Sequence, residues 1–356
     1  MLLLAPGPVP IARDLAELSN ITDLPYFRGE AFAKLTQDLT EDVKLLFHTR
    51  ATPLTVTASG TGLMEMALVN LLNQGERVVV LNGGNFGQKW VHMCQAYRLE
   101  VAEFKIPLGR SPDLDALAGF IPGDATALLI NAHETSTGYL FDLQRIGEIV
   151  RQKNLLYIVD GVSAIGADAY RMDDWGIDCS MVSSQKALAC MPGIGFIAFS
   201  DRARERFRQV TQPRCYFDAL DYANNVPRGM VPFTPAMVAM IQVKRQLEKI
   251  RAMGPDGFVA GHRALAGAFR ERISADRRLA IFPERPSNAL TAFTLPPQVS
   301  ATRLIAHLKT ELDWWLAPNP TKREDFVRVS HMGDFTPELM IEIGERIPKE
   351  IDRLCR

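Results

Sequence analysis

The stretch Leu155-Leu-Tyr-Ile-Val-Asp160 is an unbroken apolar run that ends in a carboxylate. Continuous runs of this kind suit strands buried on both faces of a parallel sheet, and open α/β sheets collect their chemistry at the carboxyl ends of such strands. Working outward, similar runs occur at Arg77–Leu81, Leu99–Phe104, Ala125–Ile130 and Asp178–Val182. Between them, 60–73, 86–97, 112–120 and 143–153 carry helical patterning, with Ser111-Pro112 as an expected N-cap and first helical proline. Strands separated by helix-length pieces predict a mainly parallel, doubly wound sheet. Ile194–Phe199 follows Pro192-Gly193 without a long helix and is expected to lie antiparallel in the same sheet. From Pro235 the pattern becomes helical to about Ser274, weakened at Gly254-Pro255. Strands at 290–295 and 326–330 and helices at 301–312 and 337–354 then predict a smaller α+β unit. The expected division is a large domain over 1–245, with an N-terminal arm over 1–20, and a small domain over 246–356.

At about 150 residues per domain, 356 residues also give about two domains. Forty Lys+Arg against 41 Asp+Glu leave a net charge of -1, so no basic field exists to hold nucleic acid or anionic lipid. Apolar residues make up 47% of the chain, enough for a sizeable core. The five cysteines form no Cys-x-x-Cys pair, which argues against zinc knuckles and a disulfide framework and favours reduced cytoplasm. The apolar start before Pro6 is too short for a signal peptide, and no run approaches the ~18 apolar residues of a membrane span.

Several motifs fail as sites. Gly193-Ile-Gly195-Phe-Ile-Ala198 leads into a strand, so a dinucleotide would lack its helix N-terminus. The segment 83–89 lacks the Gly-Lys-Ser/Thr of a phosphate loop, and His133-Glu134 lacks the second histidine of a zinc protease. Ala58-Ser-Gly-Thr-Gly62 differs, because small residues directly before a helix let backbone N–H groups meet an anion. Ser183-Ser-Gln-Lys186 then places an amine at the edge already holding Asp160. The two charges read either as a buried ion pair or as chemistry. In the second reading Lys186 forms a Schiff base with pyridoxal 5'-phosphate, and Asp160 keeps the pyridine nitrogen protonated.

Taken with Leu4-Ala-Pro-Gly-Pro8, His133-Glu-Thr-Ser-Thr-Gly138, Val159-Asp-Gly-Val-Ser-Ala164, Ser183-Ser-Gln-Lys-Ala-Leu188 and Val327-Arg-Val-Ser-His-Met-Gly333, the chain resembles the class V aminotransferases of the type I pyridoxal-phosphate fold. The similarity points to the alanine/serine-glyoxylate and 2-aminoethylphosphonate-pyruvate branch. The resemblance implies Lys186 as the Schiff-base lysine and Asp160 as the ring-nitrogen partner. It implies Gln185 with Ser59, Gly60, Thr61 and Gly62 around the phosphate, Phe86 stacked on the ring, Val162 on the opposite face and Thr135 at the phenolic oxygen. Thr234 would reach the phosphate of a neighbouring subunit, making a homodimer with shared sites. Arg328 would clamp the substrate carboxylate, and Arg28 would lie at the entrance or touch substrate. Phe86 stands where relatives often carry Trp, and Val231 where they carry Tyr, which loosens the substrate assignment. The implied reaction is ping-pong transfer from an alanine- or serine-type donor to glyoxylate or pyruvate, with no metal. Alternatives are a 2-aminoethylphosphonate transaminase, a cysteine desulfurase-like lyase and a non-catalytic relative.

Overall fold

The computed structural model describes residues 1–355. Its centre is a sheet of seven strands: β1 (Leu54–Val56), β2 (Arg77–Asn82), β3 (Glu100–Lys105), β4 (Ala125–Asn131), β5 (Leu156–Asp160), β6 (Cys179–Ser183) and β7 (Gly195–Phe199). Their spatial order is β1-β7-β6-β5-β4-β2-β3. Only β7 runs against its neighbours, pairing antiparallel with both β6 and β1. This is the mainly parallel sheet expected from the alternation of runs and helices, with the antiparallel strand where it was expected.

The apolar runs are continuous because both faces are covered. Val78, Val80, Leu129 and Ile158 enter one core, while Val79, Leu81, Leu128 and Val159 enter the core on the other side. Period-two side-chain alternation assigns them so. The main helices in chain order are α1 (Glu30–Phe47), α2 (Gly60–Leu71), α3 (Asn85–Ala96), α4 (Leu114–Phe120), α5 (Leu143–Gln152), α6 (Met237–Met253), α7 (Pro255–Ser274), α8 (Ala301–Leu312) and α9 (Pro337–Cys355). A separate apolar cluster joins α7, α8 and α9 to the antiparallel pair β8 (Leu290–Thr294) and β9 (Phe326–Ser330), with Phe269, Phe293, Leu304, Val329 and Ile347 buried. Leu4 from the N-terminal arm is buried in that same cluster, and Leu2–Leu3 pairs with Trp314–Trp315.

Two local expectations are refined, and one strand lies where none was expected. The 112–120 helix starts at Leu114: the Asp113 carboxylate accepts from Asp115 N and Ala116 N at 3.0 Å, whereas Ser111 N is bound to Glu284. An aspartate cap with two orphan amides in reach outcompetes a serine already engaged elsewhere. The 235–274 stretch is two helices, because Gly254 adopts φ +79° and Pro255 opens α7. Strand β1, three residues long and holding buried Thr55, has no periodic signal of its own and exists through pairing with β7.

Helix α5 lies so close to the segment after it that a Cβ on Gly147 would press into the Trp175 carbonyl oxygen. Gly147→Ala is therefore expected to lower stability by about 1–3 kcal/mol despite alanine's better helix propensity. Gly267 in α7 has no atom within 4 Å of the same position, so Gly267→Ala should raise stability by roughly 0.4–1 kcal/mol. Urea unfolding of both variants checks the opposite signs.

Candidate active site

Parallel pairing fixes the centre of the site. Register sets Asp160 beside Asn131 on β4 and Met181 on β6, and the chain leaves β6 into the turn that carries Gln185 and Lys186. Asp160 is buried; one carboxylate oxygen accepts from Val162 N at 2.9 Å and the other from Asn131 Nδ2 at 2.8 Å. Burial pushes its pKa up to about 6, against the opposing pull of those hydrogen bonds and of Lys89 and Lys186. Lys186 is shifted the other way: burial lowers its amine to about 8, although the Asp160 charge supports protonation. Asp160 and Lys186 thus feel each other's charge, but no carboxylate lies within 4.0 Å of the lysine nitrogen among the described residues. The ion-pair reading is not what this arrangement displays. Lys186 Nζ instead donates to the carbonyl of Pro6 at 2.7 Å.

The remaining sequence-predicted residues fall around this centre to different degrees. Ser59 caps α2 by accepting from Gly62 N at 3.4 Å, and Ser59 and Thr61 are exposed at the helix start. A Cβ on Gly60 would meet Val162 Cγ2 at 2.9 Å, so the absence of a side chain lets the loop after Asp160 approach the helix N-terminus. Thr135 is buried, its hydroxyl 2.8 Å from Ser163 Oγ. Gln185 Oε1 is buried without a partner.

Arg328, at the middle of β9, is buried and donates to Thr135 O at 2.9 Å and Pro318 O at 2.7 Å. Its Nε has no partner, so the guanidinium retains donors for a carboxylate. Burial lowers its pKa to about 10, still charged at neutrality. Arg28 is occupied elsewhere: it donates to Val231 O and Pro232 O at 3.0 Å each, steadying the segment that leads to exposed Thr234. Ala236 N, two residues further on, donates to Thr57 Oγ1 at 3.1 Å.

Three contributors went unassigned at the sequence level. Glu134 is a fully buried carboxylate that accepts from Phe86 N, Gly87 N and Ser136 N and from the Ser136 hydroxyl. It fills the N-terminus of α3 and fixes the backbone of Phe86. Asn131 orients Asp160, and a strand-terminal amide beside a strand-terminal acid was the available signal. Lys89 follows Phe86 by one helical turn, with Nζ 5.1 Å from the Phe86 ring centroid. Its spacing from Phe86 placed it on the same face.

The arrangement suits a planar, phosphorylated cofactor with a reactive carbonyl. It offers a deprotonatable amine, an acid that can face a ring nitrogen, and a glycine-lined helix N-terminus open to an anion. No group of three or more His, Cys, Asp or Glu suited to a metal occurs among the described residues.

Comparison with known proteins agrees with this geometry. A model of the class V aminotransferase family matches residues 18–311. The chain is 30% identical to a serine–glyoxylate aminotransferase of Arabidopsis thaliana, over 93% of this chain and 85% of that one. It is 28% identical to an L-aspartate–glyoxylate aminotransferase of Paracoccus denitrificans, over 94% and 87%. Its fold superposes on an aspartate aminotransferase of Thermus thermophilus with TM-score 0.91 and 26% identity, covering 99% of this chain and all of that one.

The Lys186 amine should titrate near pH 8 in cofactor-free protein, against ~10.4 for an ordinary lysine. Because the Asp160 charge favours the ammonium, Asp160→Asn should move the midpoint further down. Pulse acetylation across pH, read by peptide mass spectrometry, measures this; a midpoint shared with surface lysines would contradict the buried-amine assignment.

Proposed function

The chain belongs to the class V aminotransferase family, and on that premise we propose that it transfers an amino group from an alanine- or serine-type donor to glyoxylate or pyruvate, with pyridoxal 5'-phosphate held on Lys186. The observation that carries this reading is the half-buried Lys186 amine, hydrogen-bonded to the Pro6 carbonyl with no carboxylate in reach among the described residues, set within the field of Asp160. When bound, the cofactor supplies an electron sink for the bond broken at the donor's Cα. The chain's own residues do the rest. Arg328 binds the donor carboxylate through the N–H groups it has left and so fixes which Cα bond faces the lysine. The freed Lys186 Nζ removes the proton at Cα and returns it as general acid, a role suited to an amine with pKa near the working pH. Asp160, ionised above about pH 6, would keep the ring nitrogen protonated. Phe86 and Val162 would hold the ring between them, Thr135 would meet its phenolic oxygen, and Ser59, Gly60, Thr61, Gly62 and Gln185 would hold the phosphate.

The carboxylate donor is preferred over 2-aminoethylphosphonate because relatives at 28–30% identity are named L-aspartate–glyoxylate and serine–glyoxylate aminotransferases. We further propose a homodimer in which Thr234, exposed in the single chain, completes the partner's phosphate site. A division at 245/246 would fall inside α6, making that helix the connection between the two units. No helix among the described residues is long and apolar enough to cross a membrane, and a cytoplasmic location is part of the same proposal.

Borohydride reduction of the cofactor-loaded protein should place the pyridoxyl label on Lys186; label on another lysine would defeat the assignment. In single turnover, alanine or serine should convert the cofactor to its amine form, and Arg328→Lys should slow donor and acceptor halves alike by about tenfold or more, since lysine loses the planar fork. Rapid conversion by 2-aminoethylphosphonate alone would overturn the donor class, and preference for aspartate would redirect it to dicarboxylates. Light scattering should report a dimer, with Thr234→Ala retaining less cofactor than wild type.

A further inference from the structure

Lys89 is a cation with a definite place and no ionic partner. Its Nζ donates to Thr61 Oγ1 at 3.2 Å and stands 5.1 Å from the Phe86 ring centroid. It therefore sits between the aromatic assigned to the ring and a hydroxyl assigned to the phosphate. Among the described residues no carboxylate lies within 4.0 Å of it.

The charge balance of the cradle needs such a group. A phosphate monoester carries about -1.5 to -2 at neutral pH. Ser59, Gly60, Thr61, Gly62, Gln185 and Thr234 are all neutral, and a helix N-terminus contributes only about half a positive charge. The neighbouring helix start, at α3, is already filled by the Glu134 carboxylate, which would repel a second anion. The start of α2 is left as the anion site, and Lys89 is the ammonium beside it.

We propose that Lys89 is a cofactor-binding residue that selects the phosphorylated cofactor over its phosphate-free form by pairing with the phosphate at the start of α2. This rests on the pyridoxal-phosphate reading above. A lone contact with the Phe86 ring is the competing role, and it would act on both forms of the cofactor equally.

The test compares equilibrium binding of pyridoxal 5'-phosphate and pyridoxal to cofactor-free wild type, Lys89→Met and Lys89→Arg, read by absorbance. Lys89→Met should weaken pyridoxal 5'-phosphate by about tenfold or more and pyridoxal by less than about twofold, while Lys89→Arg keeps most of the selectivity. Added inorganic phosphate should compete with the phosphorylated cofactor less well in Lys89→Met than in wild type. Equal losses for both ligands, or no loss for either, overturn the assignment. If Lys89→Met fails to match the wild-type unfolding midpoint, Lys89→Gln gives the same comparison with the amide's polarity retained. Wild type that binds neither ligand removes the cofactor reading itself; wild type that loads Lys186 while Lys89→Met and Lys89→Gln behave like it removes this inference alone.

Discussion

Taking Asp160 and Lys186 out of water without letting them neutralise each other is the constraint on which the site depends. Burial raises the acid and lowers the amine, to about 6 and about 8 against the opposing hydrogen bonds and charges. Between those values both groups keep most of their charge, and above about pH 8 the carboxylate stays ionised beside a largely neutral amine. Two hydrogen bonds, from Val162 N in the turn after β5 and from Asn131 Nδ2 at the end of β4, hold the acid down. Direct contact would have stabilised both charges and buried them as an inert pair. The parallel register prevents that by ending β5 and β6 side by side and carrying Lys186 beyond its strand in a turn.

A second constraint follows from having two helices begin at one sheet edge. Helices α2 and α3 both present unsatisfied N–H groups there, and each is an anion site by default. The chain treats them differently. At α3 it supplies its own anion, Glu134, whose carboxylate is raised by burial and restrained by its amide and hydroxyl donors. At α2 it supplies only a serine cap and glycines, leaving the start exposed. One end becomes structure, holding Phe86, and the other stays open.

Legibility in the sequence followed the range of the interactions involved. The strands on either side of Asp160 were readable because burial on two faces removes polar alternation, and the glycines before α2 because a close approach excludes Cβ. Strand β1 was not readable, since three residues carry no period and its partner β7 lies far along the chain. Glu134 was visible as a residue but not as a cap, because its acceptor role depends on amides at Phe86 and Gly87 brought close only by the fold. Arg28 reads as an entrance or substrate residue, and its two carbonyl partners, distant in sequence, could not be named from the motif beside it. Long-range satisfaction of buried polar groups is where single-sequence reasoning loses its grip.

The N-terminal arm ties these levels together. Leu4 is buried in the apolar cluster of α7, α8 and α9, and Ser330 N donates to Leu4 O two residues beyond Arg328 on β9. Two residues after Leu4, the Pro6 carbonyl accepts from Lys186, and a Cβ on Gly7 would come within 2.9 Å of Lys186 Cδ and Cε. One short segment thus touches both the strand that carries the carboxylate-binding arginine and the amine that would act on the substrate. Gly7, at φ +131°, is the position that permits this, since any larger residue would be strained there and would also collide with the lysine. A shift of the C-terminal unit would therefore reach Lys186 through this arm, by way of the Ser330–Leu4 hydrogen bond, the Leu4–Pro6 main chain and the Lys186–Pro6 hydrogen bond.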